Sequence, residues 1–276
     1  MHCIFCKQGS HSSRSVEHIV PESLGNTTQV LPPGVVCDAC NNYFSRKVEG
    51  PLLDSGELKL LRFQQVIPSK RKRIPAMDVK IELASSKAII NGRMHRPANR
   101  DFMPVLAIAV EKEIDLAVEL KGALASPVDM SPPPNTLMSR FLAKCALEAL
   151  AQRVLEHPLG IDQFINQPQF DLLRRHARYG QPAHWPFHER VLYDQNRPIL
   201  ENGEVVQTVF EYDIFATTPE RTDAEGNMVS EFYFVIAIFG VEFAINIAGP
   251  EIEGYEIWLR EHSNVSPLYW GKNKTE

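Results

Sequence analysis

Four cysteines stand near the N-terminus in two pairs, Cys3-x-x-Cys6 and Cys37-x-x-Cys40; between them lies Glu17-His18-Ile19-Val20-Pro21, and Asn41 follows the last cysteine directly. These types point to two kinds of metal chemistry. Zn²⁺ takes four tetrahedral ligands, and each Cys-x-x-Cys turn can bring two sulfurs onto one ion. Glu17, His18 and Asn41 offer a carboxylate, an imidazole and an amide oxygen, from which a hydrolytic site with a harder cation can be built. The stretch between the pairs, residues 7–36, is longer than a minimal zinc ribbon needs, as expected of a functional insert carried on a zinc clasp. Redox dithiols or disulfides are the competing reading of the cysteines. Two pairs so close together favour zinc, and no secretory signal peptide is read, so a reducing, cytoplasmic setting is expected. Cys145 lies in an apolar helical stretch and is expected as a buried core thiol.

These residues need elements to hold them. Pro21 disfavours helix at Val20, so Glu17 and His18 are expected on an extended segment or at its end. Adjacent side chains on a strand point to opposite faces, although at a strand end or a bulge both can approach one site. Pro32-Pro33-Gly34 marks a turn, and residues 41–49 read as a short helix ended by Gly50-Pro51. The local plan is strand, loop, turn, strand and helix. Taken singly, each residue has a plainer role: a core or surface histidine, a solvated Glu17, or a helix cap at Asn41. Asn42 is the neighbour to consider if Asn41 is not the functional one.

In order and at these spacings, the motifs resemble the HNH endonucleases, the zinc-clasped type of the ββα-metal nucleases. The shared pattern is a cysteine pair, an acidic residue before His-Ile-x-Pro, Leu-Gly, and Cys-x-x-Cys-Asn. Here these are Cys3/Cys6, Glu17 to Pro21, Leu24-Gly25 and Cys37/Cys40-Asn41, and the resemblance covers roughly residues 1–50. It implies that His18 is the general base activating water, and that Glu17 and Asn41 ligate a catalytic divalent cation, Mg²⁺ or Mn²⁺. Some members take a further ligand one helical turn later. That position is Ser45, a poor ligand, where water is expected. Arg46 and Lys47 would hold phosphates. The middle asparagine of the pattern would fall at Pro32 and is absent; Asn26 is the nearby substitute, at a position that fixes loop geometry and adjoins the substrate.

The residue types suit phosphodiester hydrolysis, which needs an activated water and a cation near the leaving oxygen. A neutral imidazole can take the water's proton. Thiolates select zinc while carboxylate and amide oxygens select the harder metal. The net charge of −5 argues against nucleic acid, but its distribution does not. Residues 1–75 hold ten Lys/Arg against six Asp/Glu, a net +4, and the remainder carries −9. The run Lys70-Arg71-Lys72-Arg73 contributes most and reads either as a phosphate-binding footprint or as a solvated basic loop.

The rest of the chain carries no recognisable chemical motif. The expected fold class is α+β: a small zinc-bound ββα-metal unit (residues 1–50), a basic connecting segment (51–75), and a larger mixed α+β domain (76–276) with a mainly antiparallel sheet and one or two long helices. Residues 57–65 and 137–156 show helical spacing of apolar residues, the latter capped by Asn135 or Thr136 after Pro132-Pro133-Pro134. Residues 161–179 read as a helix broken at Pro168. Its basic end, Arg174, Arg175, His176 and Arg178, suits the helix dipole or a second DNA contact. Turns are expected at Asn91-Gly92, Pro97 and 223–227, strands at 205–216 and 255–259, and a loose end from 271 to 276. Residues 232–248 read as two buried strands joined near Gly240, not a membrane span. His184-Trp185-Pro186-Phe187-His188 has metal-like histidine spacing, but Pro186 prevents a regular helix, so a packed aromatic loop is expected. The leading functional expectation is a DNA endonuclease, with a possible protein partner at the C-terminal domain and no membrane. The alternatives are a non-catalytic zinc-ribbon module binding nucleic acid or protein, and an RNA-cleaving nuclease.

Overall fold

A computed structural model describes residues 1–84, 86–97, 104–108, 122–155, 157, 160–193, 195, 199–201, 204–206, 209–217 and 231–270. Strand β1 (Glu17–His18) pairs antiparallel with β2 (Val30–Leu31), Glu17 opposite Leu31 and His18 opposite Val30. Helix α1 (Asp38–Phe44) follows, with Cys37 as its N-cap residue. It starts three residues before the expected Asn41, because the Cys37 sulfur accepts the Cys40 N–H at 3.4 Å and so closes the first turn. The Asp38 carboxylate accepts from the Arg14 N–H, the Ser15 N–H and the Ser15 hydroxyl, tying the helix start to the segment that enters β1.

The chain does not leave the helical path at Gly50-Pro51. Residues Ser45–Glu49 form a π turn, in which the Gly50 N–H reaches Ser45 O, and α2 (Gly50–Leu53) continues. A proline is tolerated here because it lies in the first turn of the new segment, where no intrahelical partner for its N–H is needed.

Contacts group the chain into two units that do not follow chain order. One comprises residues 1–21, 26–51 and 134–276; the other comprises 22–25 and 52–133. In the second, α3 (Gly56–Gln64) supplies Phe63 to a core with Met77, Val79, Ile81 and Leu83. Strands β3 (Met77–Glu82), β4 (Ile89–His95), β5 (Val105–Ile108) and β6 (Leu124–Pro127) form an antiparallel sheet of order β5-β4-β3-β6. Asn91-Gly92 is not the expected turn but lies inside β4, opposite Lys80 and Val79. A Cβ at Gly92 would come within 2.7 Å of the Ile81 side chain, so the glycine serves close packing there.

In the first unit, α4 (Asn135–Val154) is the centre. It is buried on nearly every face, including Phe141, Leu142, Cys145, Ala146 and Ala149. Neither Asn135 nor Thr136 caps it: Pro134 is the cap residue, and its carbonyl accepts from Leu137 and Met138. Helices α5 (Gly160–Asn166) and α6 (Asp171–Tyr179) pack along α4, separated by a 3₁₀ turn at Pro168–Phe170, where the break is expected. Strands β7 (His188–Val191), β10 (Phe210–Ala216), β11 (Phe232–Ile238) and β12 (Val241–Asn246) form an antiparallel sheet of order β10-β11-β12-β7 on α4. A two-stranded ribbon, β8 (Ile199–Glu201) and β9 (Glu204–Val206), stands apart from it. The join between β11 and β12 falls at Gly240, with φ of +82° and Tyr193 O only 2.5 Å from where a Cβ would be.

Residues 255–259 are not a strand but the middle of α7 (Glu253–Glu261). Tyr255, Trp258 and Leu259 recur at helical spacing and cover Tyr233, Val235 and Ala237 on the sheet. Cys145 is a fully buried thiol, and burial pushes its pKa well up. Trp185 is buried and donates to Asn246 O at 3.1 Å, so the segment 184–188 packs as an aromatic loop leading into β7. The turn expected at 223–227 and the loose end expected at 271–276 lie outside the described residues. Among the described residues, no helix is long and apolar enough to cross a membrane.

Candidate active site

The Sγ atoms of Cys3, Cys6, Cys37 and Cys40 all lie within 4.8 Å of one another. Cys6 and Cys37 are 3.7 Å apart. Four sulfurs bound tetrahedrally to Zn²⁺ at about 2.3 Å stand about 3.8 Å from each other, so the spacing fits the ion. Backbone N–H groups point at the sulfurs, Cys37 N to Cys3 at 3.3 Å and Cys40 N to Cys37 at 3.4 Å. The thiols cannot all ionise alone. The hydrogen bond from Cys40 lowers Cys3 to about 4, while burial raises Cys6 to about 11 and the charge-bearing Cys3 pushes Cys40 up strongly. A divalent cation removes that conflict, and the donor set is that of a structural zinc site.

Beside this clasp lies the β1–β2–α1 motif. His18 is half-buried on β1, while Glu17 beside it faces inward and is 5 % exposed, as alternation along a strand requires. Asn41 on α1 donates through Nδ2 to Val16 O at 3.3 Å, which holds the helix against the start of β1 and leaves the amide oxygen as the atom suited to a cation. The carboxylate and amide oxygens of Glu17 and Asn41 are the donor chemistry of Mg²⁺ or Mn²⁺. Ser45, Arg46 and Lys47 are exposed on the π turn. Lys70 to Arg73 are exposed in the second unit, on a tight turn closed by Ser69 N to Arg73 O at 2.8 Å.

Asn26 is buried and fully occupied by its own loop. Its Nδ2 donates to Val20 O and Gln29 O, each at 2.8 Å, and its Oδ1 accepts from Thr28 N at 3.2 Å and Gln29 N at 2.9 Å. It therefore braces the loop between β1 and β2 and has no polar group left for substrate. An Asn26→Ala protein is expected to lose about 1–3 kcal/mol, the cost of leaving buried backbone groups unpaired, read as a lower urea midpoint at unchanged slope.

A part of the site invisible in the sequence comes from α4. Lys144 is fully buried, and its Nζ lies 2.7 Å from Glu17 Oε1, 2.7 Å from Glu49 and 2.9 Å from Glu148. The same ammonium donates to His18 O at 2.8 Å. Burial works against its charge, but the three carboxylates outweigh burial and hold its pKa well above the ordinary value. Burial likewise drives Glu148 well up, towards its neutral form, against the pull of Lys144. Lys144→Met is expected to cost about 3–5 kcal/mol because buried carboxylates lose their counter-charge, whereas replacing both members of a buried pair by apolar residues is often neutral. Lys144→Met/Glu148→Met removes one of the three carboxylates together with the ammonium and should recover part of the melting temperature, since Glu17 and Glu49 still lack their counter-charge.

The basic end of α6 also turns inward. Arg174 is buried and donates to Ile4 O at 2.7 Å and Phe164 O at 2.7 Å, beside an Asp171–Lys7 ion pair at 2.5 Å. His176 is buried as well, and Arg178 lies 3.6 Å over the Tyr43 ring. Arg174 thus supports the Cys3–Cys6 turn through Ile4 and Arg178 packs on Tyr43 of α1, whereas His176 meets Ser139 of α4 and Pro182 O, and Arg175 is the exposed member of the group. The signal that could have exposed the Lys144 site is a Lys/Glu pair at i, i+4 inside an otherwise apolar helix.

No curated protein and no solved structure matches the chain. Residues 3–55, the stretch holding the four cysteines, Glu17-His18, Asn26 and Asn41, match the family model of the HNH endonucleases.

Proposed function

We propose that this protein is a metal-dependent endonuclease that hydrolyses DNA phosphodiester bonds. His18 acts as general base, and Glu17 and Asn41 hold a catalytic Mg²⁺ or Mn²⁺. The observation that carries this reading is the placement of His18 and Glu17 on a strand locked to the helix of Asn41, within a stretch that matches the HNH endonucleases. The cation, when bound, supplies charge neutralisation at the scissile phosphate and the leaving oxygen. His18 takes the proton of the attacking water. Asn41 keeps its oxygen directed away from Val16 by spending its nitrogen there. Arg46 and Lys47 offer cations to the flanking phosphates, and Lys70 to Arg73 add a second exposed basic run. The cysteine clasp holds zinc as a structural ion.

The test is cleavage of supercoiled plasmid by zinc-loaded protein with Mg²⁺, Mn²⁺ or EDTA. Metal-dependent nicked or linear product is expected. Intact plasmid with both cations, from protein shown to be folded, would sink the reading, and cutting of RNA in a parallel reaction would reassign the substrate.

A further inference from the structure

We infer that Lys144 is the positioning residue of the candidate site, and that α4 thereby completes a catalytic unit whose recognisable motif ends near residue 55. The inference rests on the nuclease reading above and deepens it. Its basis is one ammonium that touches the site twice. Lys144 Nζ binds Oε1 of the Glu17 side chain at 2.7 Å and the backbone carbonyl of the adjacent His18 at 2.8 Å, with Ile19 O at 3.4 Å. The contact with His18 spans 126 residues of sequence.

A strand of two residues has little to hold its own direction. Clamping its side chain and its carbonyl from one rigid point fixes both where the Glu17 carboxylate aims and how the backbone under His18 is turned. Glu49 and Glu148 hold the ammonium from the far side. Glu49 belongs to the π turn that follows α1, so α1, β1 and α4 share one charged joint. Partners that orient metal ligands in this way commonly change metal affinity or activity by about 10–100-fold when removed.

Lys144→Met alone strands three carboxylates and is expected to fold poorly, so the test uses Lys144→Met/Glu148→Met, which leaves only Glu17 and Glu49 without the ammonium, beside wild type. Both are checked for zinc content and melting temperature. Three quantities are then read: Mn²⁺ affinity by calorimetry, amide exchange at Ile19 and its neighbours on β1 and β2, and kcat against KM on plasmid. With zinc and fold retained, the double variant is expected to bind Mn²⁺ about tenfold or more weakly, to exchange faster at β1, and to lose kcat at unchanged KM. Arg175→Ala, at an exposed position of α6 outside this joint, is expected to keep wild-type Mn²⁺ affinity. A folded double variant with wild-type Mn²⁺ affinity and wild-type β1 exchange overturns the inference. Wild type that binds Mn²⁺ but cuts no nucleic acid sinks the nuclease reading alone, and wild type that binds no Mn²⁺ sinks both.

Discussion

A His18→Ala protein is expected to fold, to hold zinc, and to cleave about 10²–10⁴-fold more slowly than wild type, the range typical for removing a positioned general base. Two contacts that His18 gives the fold run through its backbone: it pairs with Val30 across β1–β2, and its carbonyl accepts from Lys144. Alanine keeps both. The imidazole itself is half-buried, beside the buried Ile19 and Val20. Steady-state cleavage, zinc content and thermal melting measured together separate loss of chemistry from loss of structure. Cleavage at the wild-type rate would remove His18 as the base. A collapse of zinc content would mean that the side chain serves the fold.

Why was the clasp readable while its support was not? Cys-x-x-Cys spacing is a local property: two residues between sulfurs fix whether they can meet on one ion, whatever the rest of the chain does. The same holds for Glu17-His18 and for Asn41 next to Cys40. The apolar run broken at Gly240 is equally local, and its two strands stand where they are expected. The joint at Lys144 depends on contacts across more than a hundred residues, and a lysine in an apolar helix usually reaches for solvent, so sequence pattern argues against it. Residues 255–259 failed for a related reason. A stretch as short as Tyr255 to Leu259 satisfies strand and helix templates alike, and the choice was made by the aromatic face that covers Tyr233. At Gly92, a turn signal was overruled by the side chain that needs the missing Cβ.

Removal of zinc, or Cys37→Ser, is expected to release residues 1–51 and leave the sheet behind α4 folded. β1 and β2 have two residues each, too few to stand on their hydrogen bonds. The turn carrying Cys3 and Cys6 is joined to α1 through the sulfurs, Ile4 N to Val35 O at 3.0 Å, and the Phe5–Phe44 ring contact at 4.4 Å. Structural zinc contributes about 10–16 kcal/mol of apparent binding energy in small domains, more than these contacts replace. Once the clasp opens, Glu17 and Glu49 leave Lys144 with Glu148 alone, and Arg174 loses Ile4 O. The second loss lowers the stability of α4 and α6 in turn. By contrast, β11 and β12 are buried on both faces by α4 and α7, and depend on neither group. Hydrogen exchange with and without a strong zinc chelator reads both halves. Fast exchange in residues 1–51 with retained protection of Phe232–Ile238 and Val241–Asn246 is the expected pattern. Unchanged protection at β1 and α1 after proven zinc loss would mean that packing against α4 and α6, not the metal, holds the site.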